Sequence, residues 1–137
     1  MQTLGRDKWH ESVSSLINSC IEESKCSKQD IREAAAAMPY LVDVISSVED
    51  IAAADMCGQM ILSDGNDEFI HAFLKKNGIA NCFCHGVETN IAEWGSEQED
   101  CRFNVVYQSS KYGGHSCKTC PPNLCKSQVL QDILSRA

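Results

Sequence analysis

The feature that most constrains this fold is a change of character at Met60. Between Gly5 and Gly58 there is no glycine, and apolar residues recur at three- and four-residue steps, the period of an amphipathic helix. Trp9, Val13, Leu16, Ile17, Cys20 and Ile21 make a first stripe, broken by Ser24-Lys25-Cys26-Ser27. Ser27 followed by Asp30 predicts an N-cap with an acidic partner in the first turn. Ile31, Ala34, Ala35 and Met38 make a second stripe that Pro39 ends, because proline lacks the N–H a helix needs. Leu41, Val44, Ile45, Val48, Ile51 and Ala52 make a third. All three are expected to be packing faces of a small helical unit over residues 1–57.

From Met60 the runs shorten. Met60-Ile61-Leu62 reads as a buried strand ending abruptly in Ser63-Asp64-Gly65-Asn66, the form of a strand that delivers a site at its carboxyl end. Phe69, Ile70, Phe73 and Leu74 predict a helix stopped at Gly78. Residues 83–89 are expected to hold a short strand, and Thr89-Asn90 a turn. Residues 94–100 read as an acidic loop, and residues 102–107 as a strand, half of a hairpin. Residues 111–122, rich in Gly, Cys and Pro, read as a loop. Val129, Leu130, Ile133 and Leu134 predict a final helix entered through Pro121-Pro122. A chain of 137 residues has room for one compact unit, and this alternation makes it α/β.

Charge and composition exclude several function classes. The 12 Lys+Arg against 19 Asp+Glu give a net charge of −7 with no basic cluster, so nucleic acid is not an expected partner. Apolar stretches such as Ile51-Ala52-Ala53-Ala54 fall far short of the ~20 residues that span a bilayer. The first seven residues carry no apolar signal core, which predicts a cytoplasmic protein with reduced thiols. Its nine cysteines then read either as small buried hydrophobes or as a metal cluster.

Two constellations can carry chemistry. In Ser63-Asp64-Gly65-Asn66, the Ser63 hydroxyl and nearby backbone N–H groups suit an anion at a helix N-terminus; the same residue types also make a plain helix cap. The second runs from His115 to Lys126. Cys117, Cys120 and Cys125 at C-x2-C-x4-C spacing, with His115 two residues ahead, offer four zinc ligands, or merely pack the loop. Lys126 stands in the first turn of the final helix, where the helix dipole disfavours a cation unless an anion is near. His10, His71 and His85 have no metal-spaced partner and read as core or surface residues.

These segments together resemble the PHOSPHO-type phosphatases of the haloacid dehalogenase superfamily. The matching residues are Ile61-Leu62-Ser63-Asp64-Gly65-Asn66, Phe69-Ile70, Thr89-Asn90, and above all His115-Ser116-Cys117 through Cys120-Pro121-Pro122-Asn123-Leu124-Cys125-Lys126. The resemblance implies a partial Rossmannoid three-layer core over residues 58–137, with a helical cap over residues 1–57. It implies that Ser63 hydrogen-bonds a transferring phosphoryl group and that Lys126 offsets its charge. Asp64, Asn66, Thr89 and Asn90 would lie against a small phosphorylated metabolite such as phosphoethanolamine, phosphocholine or pyridoxal phosphate. Magnesium would serve the complete protein, which hydrolyses its substrate through an aspartyl-phosphate. The family's D-x-D motif is missing, since no Asp-x-Asp occurs anywhere, and so is its G-D-x-x-x-D motif. The expectation is therefore a fragment whose missing ends carry the nucleophile and the magnesium ligands, leaving the Met60-Ile61-Leu62 strand as an apolar edge. The rival readings are a non-catalytic degenerate paralogue and a small zinc-binding module. Gly65 stands where the family usually has Ala, and Val106-Tyr107-Gln108 where it often has Pro-Tyr-His.

Overall fold

The computed structural model describes residues 8–96, 102–108 and 114–136. The sequence readings of the N-terminal segment, of Cys101, of the end of the acidic loop and of the start of the Cys-rich loop lie outside the described residues. The three helical stripes become α1 (Trp9–Ser24), α2 (Lys28–Ala36) and α3 (Val42–Ala54). Ser27 caps α2 as expected: its hydroxyl accepts from the Asp30 N–H, and the Asp30 carboxylate accepts from the Ser27 N–H, which satisfies two otherwise orphaned donors.

The second half folds as β1 (Ile61–Asn66), α4 (Asp67–Lys76), a 3-10 turn (Ala80–Cys82), β2 (Val87–Trp94), β3 (Phe103–Val106) and α5 (Lys126–Leu134). β1 and β2 are parallel and joined through α4; β2 and β3 are antiparallel, in the order β1-β2-β3. The class is α/β, with helices dominating. Gly78 does stop α4. It adopts φ +71°, its N–H donates to the Lys75 carbonyl, and the Ile79 N–H donates to the Leu74 carbonyl. This is a Schellman turn, closed by the burial of Leu74 and Ile79.

Several expected boundaries move. Residues 83–89 are not one strand: the 3-10 turn comes first, and β2 starts only at Val87. β2 then runs to Trp94, so Thr89-Asn90 is the middle of a strand rather than a turn. Both side chains are buried there, and packing overrides the turn preference of Asn. The final helix starts at Lys126 with Cys125 as its N-cap, which puts Lys126 in the first turn as expected.

The core lies between the sheet and α4. Phe103 of β3 is 1% exposed, stacked on Phe69 of α4 at 5.6 Å and edge-on to Trp94 of β2 at 5.0 Å. α2 packs on α4 through its buried residues Ile31 and Ala35, and α1 packs against β3. The third stripe departs from expectation. α3 has no fully buried residue: Leu41 and Val44 are more than half exposed, while Ile45, Val48 and Ala52 are half-buried on the side where α3 meets the 3-10 turn, so only part of the stripe packs. Among the described residues, no helix is long and apolar enough to cross a membrane.

Candidate functional site

The site begins with a register slip. Ile61 pairs with Val87 and Leu62 with Glu88, but Asn66 pairs with Asn90, so β1 uses two more residues than β2 over this stretch. A bulge of this kind re-aims side chains at a strand end. Ser63, Asp64 and Gly65 lie in it, at the carboxyl end of a parallel strand. Asp64 is exposed. The Ser63 hydroxyl accepts from the Gly65 N–H at 3.0 Å, which leaves its own O–H available to donate. A Cβ at Gly65 would stand 3.2 Å from Ser63 Oγ, a tight contact that the hydroxyl relieves by shifting a few tenths of an ångström.

Asn66 closes the bulge and opens α4. Its Oδ1 accepts from the Phe69 N–H at 3.0 Å, so this residue is the helix cap that the sequence offered as the plain reading. Asn90 is fully buried and holds the bulge from below. Its Nδ2 donates to the carbonyls of Asp64 and Gly65 at 2.9 and 3.0 Å, and its Oδ1 accepts from the Gln108 N–H. Thr89, its neighbour in β2, is buried with its hydroxyl unpartnered.

The chain returns to this bulge 60 residues later. Asn123, Leu124 and Cys125 are all buried, and Lys126 emerges as the first residue of α5. Its Nζ lies 3.3 Å from Asp64 Oδ2, with both side chains about half exposed. A solvated pair of this kind adds little to stability. It does hold an ammonium group at the mouth of the Ser63 bulge.

A buried polar group that sequence reasoning missed ties these pieces together. His10 of α1 is buried, and its Nε2 lies 3.0 Å from Asn123 Nδ2 and 3.4 Å from Asn90 Nδ2. The Asn90 oxygen is already committed to a backbone N–H, so its amide nitrogen faces the ring. The Asn123 amide nitrogen only donates, so Nε2 accepts from it and the ring is neutral, with its proton on Nδ1; the two Asn90 protons are taken by the Asp64 and Gly65 carbonyls. Burial lowers the His10 pKa, against a smaller upward pull from the Asp64 carboxylate. Tyr107 packs edge-on to the ring at 5.4 Å. No local spacing marks His10, because its partners stand 80 and 113 positions away.

The Cys-rich loop brings three of its four expected ligands together. The sulfurs of Cys117, Cys120 and Cys125 all lie within 4.8 Å of one another. His115 is not among them; its Nε2 lies 2.8 Å from the Pro121 carbonyl. The Cys117 thiol is pulled down to about 7, first by backbone N–H donors from Thr119 and Cys120. The Cys120 thiol is pushed up to about 11 by hydrogen bonding to Cys117 and Cys125. Among the described residues, this sulfur trio is the only group of three or more metal-ligating side chains. Soft sulfur does not suit magnesium, which takes oxygen ligands, and the Asp64 carboxylate is engaged by Lys126. Among the described residues, no group of three or more carboxylates stands ready for a magnesium ion.

The whole chain, residues 1–137, matches the family described as "Putative Phosphatase". A thiamine phosphate phosphatase-like protein of Arabidopsis thaliana is 30% identical over 105 residues, covering 76% of this chain and 41% of that protein. The pyridoxal phosphate phosphatase PHOSPHO2 of Mus musculus is 30% identical over 108 residues, 78% of this chain and 42% of the relative. Inorganic pyrophosphatase 2 of Arabidopsis thaliana is 26% identical over 133 residues, 96% and 46% respectively. The chain spans about half the length of these relatives or less. No solved structure matches it at a comparable level of significance.

Proposed function

Since the chain belongs to this phosphatase family, we propose that it supplies the phosphate-binding side of a phosphomonoesterase centre. The observation that carries this reading is the meeting of Lys126 with Asp64 across the bulge that presents Ser63. A phosphate monoester entering here would accept a hydrogen bond from the Ser63 hydroxyl. It would compete with Asp64 for the Lys126 ammonium. Charge-assisted hydrogen bonds of this kind are the strong ones. In phosphoryl transfer they act by offsetting charge on the equatorial oxygens. Asn90 acts as a positioning residue that holds the bulge backbone, and the Gly65 N–H orients the Ser63 hydroxyl.

The ligand is a small phosphorylated metabolite. The relatives' names mention three different phosphorylated compounds, so the headgroup must be read from local charge. Asp64 is the residue for that: displaced from Lys126 by the phosphate, its carboxylate is placed to meet a cationic headgroup, as in phosphoethanolamine or phosphocholine. The chain by itself binds but does not hydrolyse. It has no D-x-D pair to supply a nucleophile and a general acid–base. A complete family enzyme working through an aspartyl-phosphate would draw those carboxylates from sequence beyond this span.

The test is calorimetric titration of the reduced chain with inorganic phosphate and with phosphoethanolamine, using Asp64→Asn beside the parent. Asp64→Asn frees Lys126 and removes a negative charge, so inorganic phosphate is expected to bind more tightly while phosphoethanolamine gains less or loses. Equal gains for both ligands would remove the headgroup role of Asp64. Magnesium-dependent release of phosphate by the chain, absent in Ser63→Ala and Lys126→Ala, would remove the non-hydrolytic reading.

A further inference from the structure

The sulfur trio has no part in the phosphate-binding reading, yet among the described residues it is the only group of three or more potential metal ligands. We propose that Cys117, Cys120 and Cys125 hold a structural zinc ion, completed by Nδ1 of His115. Tetrahedral zinc with Zn–S bonds of about 2.3 Å places its sulfurs about 3.8 Å apart. The three sulfurs already lie within 4.8 Å of one another, so a metal draws them in without refolding the loop. C-x2-C supplies two ligands from a tight turn, as structural zinc sites do. Cys125 supplies the third from the N-cap of α5.

The second observation is His115. Its Nε2 lies 2.8 Å from the Pro121 carbonyl, an acceptor only, so that nitrogen carries the proton. Nδ1 is left with a bare lone pair, and it is buried without a hydrogen-bond partner. A histidine whose far N–H donates to a backbone carbonyl while its other nitrogen stands free has the form of a metal-ligating imidazole. Buried polar atoms are seldom left unpaired, and coordination to the metal would satisfy Nδ1. The ring is outside the 4.8 Å trio, so His115 closes on the metal by a side-chain adjustment.

The ion's place in the fold follows from what the loop connects. Residues 114–125 form no helix or strand, and their end carries Asn123 to His10 and Lys126 to Asp64. Zinc cross-links the loop to the start of α5 and so fixes both contacts. On binding, the thiols give up their protons to solvent and no electrons move. Four protein ligands leave no open position for a reactive water, which makes the site structural.

The experiment uses the whole chain, freshly reduced. Titration with Co2+ is expected to give a sulfur-to-metal charge-transfer band and tetrahedral d–d absorption that saturate at one ion per chain, and Zn2+ is expected to bleach both. With Zn2+ bound, Cys117, Cys120 and Cys125 are expected to resist alkylation, site by site in mass spectrometry, while the exposed Cys57 and Cys84 react. Neither readout requires a variant to fold. Cys120→Ser is expected to abolish the charge-transfer band. His115→Ala is expected to keep the thiolate band but to bind Co2+ less tightly, with the d–d spectrum shifted by the loss of its nitrogen ligand. Absence of the band in the reduced parent, its survival in Cys120→Ser, or a Cys117–Cys120 disulfide that forms as readily with Zn2+ present as without would overturn the proposal. Unchanged affinity in His115→Ala would overturn the fourth ligand.

Discussion

His10 and Asn123 stand 113 positions apart, yet the imidazole Nε2 of one lies 3.0 Å from the amide nitrogen of the other. The contact joins the first helix to the loop that delivers Lys126. Asn90 reaches the same ring from the strand beneath the Ser63 bulge. His10→Phe keeps the aromatic contact with Tyr107 but leaves the Asn123 amide buried without its acceptor. Such a loss costs about 1–3 kcal/mol. Chemical denaturation should show it. His10→Phe combined with Asn123→Leu should cost less than the two changes added together, since it removes both partners.

The same ring makes stability depend on pH. Burial holds the folded His10 pKa below its ordinary value, so between the two pKa values the unfolded state binds the extra proton. The contribution is therefore full above about pH 6.5 and is lost as the pH falls below it. Protonation also removes the Nε2 lone pair that the Asn123 amide uses. Melting temperature is expected to fall between about pH 6.5 and 5 in the parent, and to fall less in His10→Phe. Asp30, held low by the Ser27 hydroxyl, acts only in the more acidic carboxylate range near pH 4 and does not confuse the reading.

Asn18 predicts a second large loss. Its side chain accepts from the Phe103 N–H at 2.7 Å and donates to the Phe103 carbonyl at 3.0 Å. It thus occupies the outer edge of β3 in place of another strand. Asn18→Ala leaves both backbone groups of the most buried aromatic without those partners, at about 1–3 kcal/mol for each group that stays buried. Amide hydrogen exchange at Phe103 should quicken along with the loss of stability.

How much of this was legible in the sequence depends on the range of the interaction. The Ser27–Asp30 cap, the Gly78 stop and the three helical stripes rest on contacts within a few residues, and they appear where periodicity and capping put them. Thr89-Asn90 was read as a turn because Asn favours turns locally. Its strand is fixed instead by pairing with β1 and β3, which local preference does not report. The slip between Leu62 and Asn66 was likewise invisible, and it determines where Ser63 and Asp64 lie. The Cys-x2-Cys-x4-Cys spacing did bring three sulfurs together, whereas spacing could not show that His115 Nε2 would face Pro121. His10 left no signal at all, since all of its partners are distant in the chain.

Gly78 gives a local control. Alanine there must adopt φ near +71°, a left-handed conformation that costs about 1–2 kcal/mol for a residue with a Cβ. No atom lies within 4 Å of the added group, so the loss should equal the backbone cost alone. Gly78→Asn should recover part of it, since Asn tolerates this region. Equal stability of the glycine, alanine and asparagine proteins in denaturant would contradict the Schellman assignment.

The central claim is that Lys126 and Ser63 form one phosphate-binding site, and titration of the reduced chain with inorganic phosphate tests it most directly. The parent should bind saturably, and both Lys126→Ala and Ser63→Ala should weaken binding. The lysine loss should be about 1.5–3 kcal/mol, the worth of a hydrogen bond to a charged group, or roughly ten- to a hundredfold in affinity. Both side chains are at least partly exposed, so circular dichroism should show each variant folded. Phosphate binding that is unchanged in folded Lys126→Ala would contradict the account.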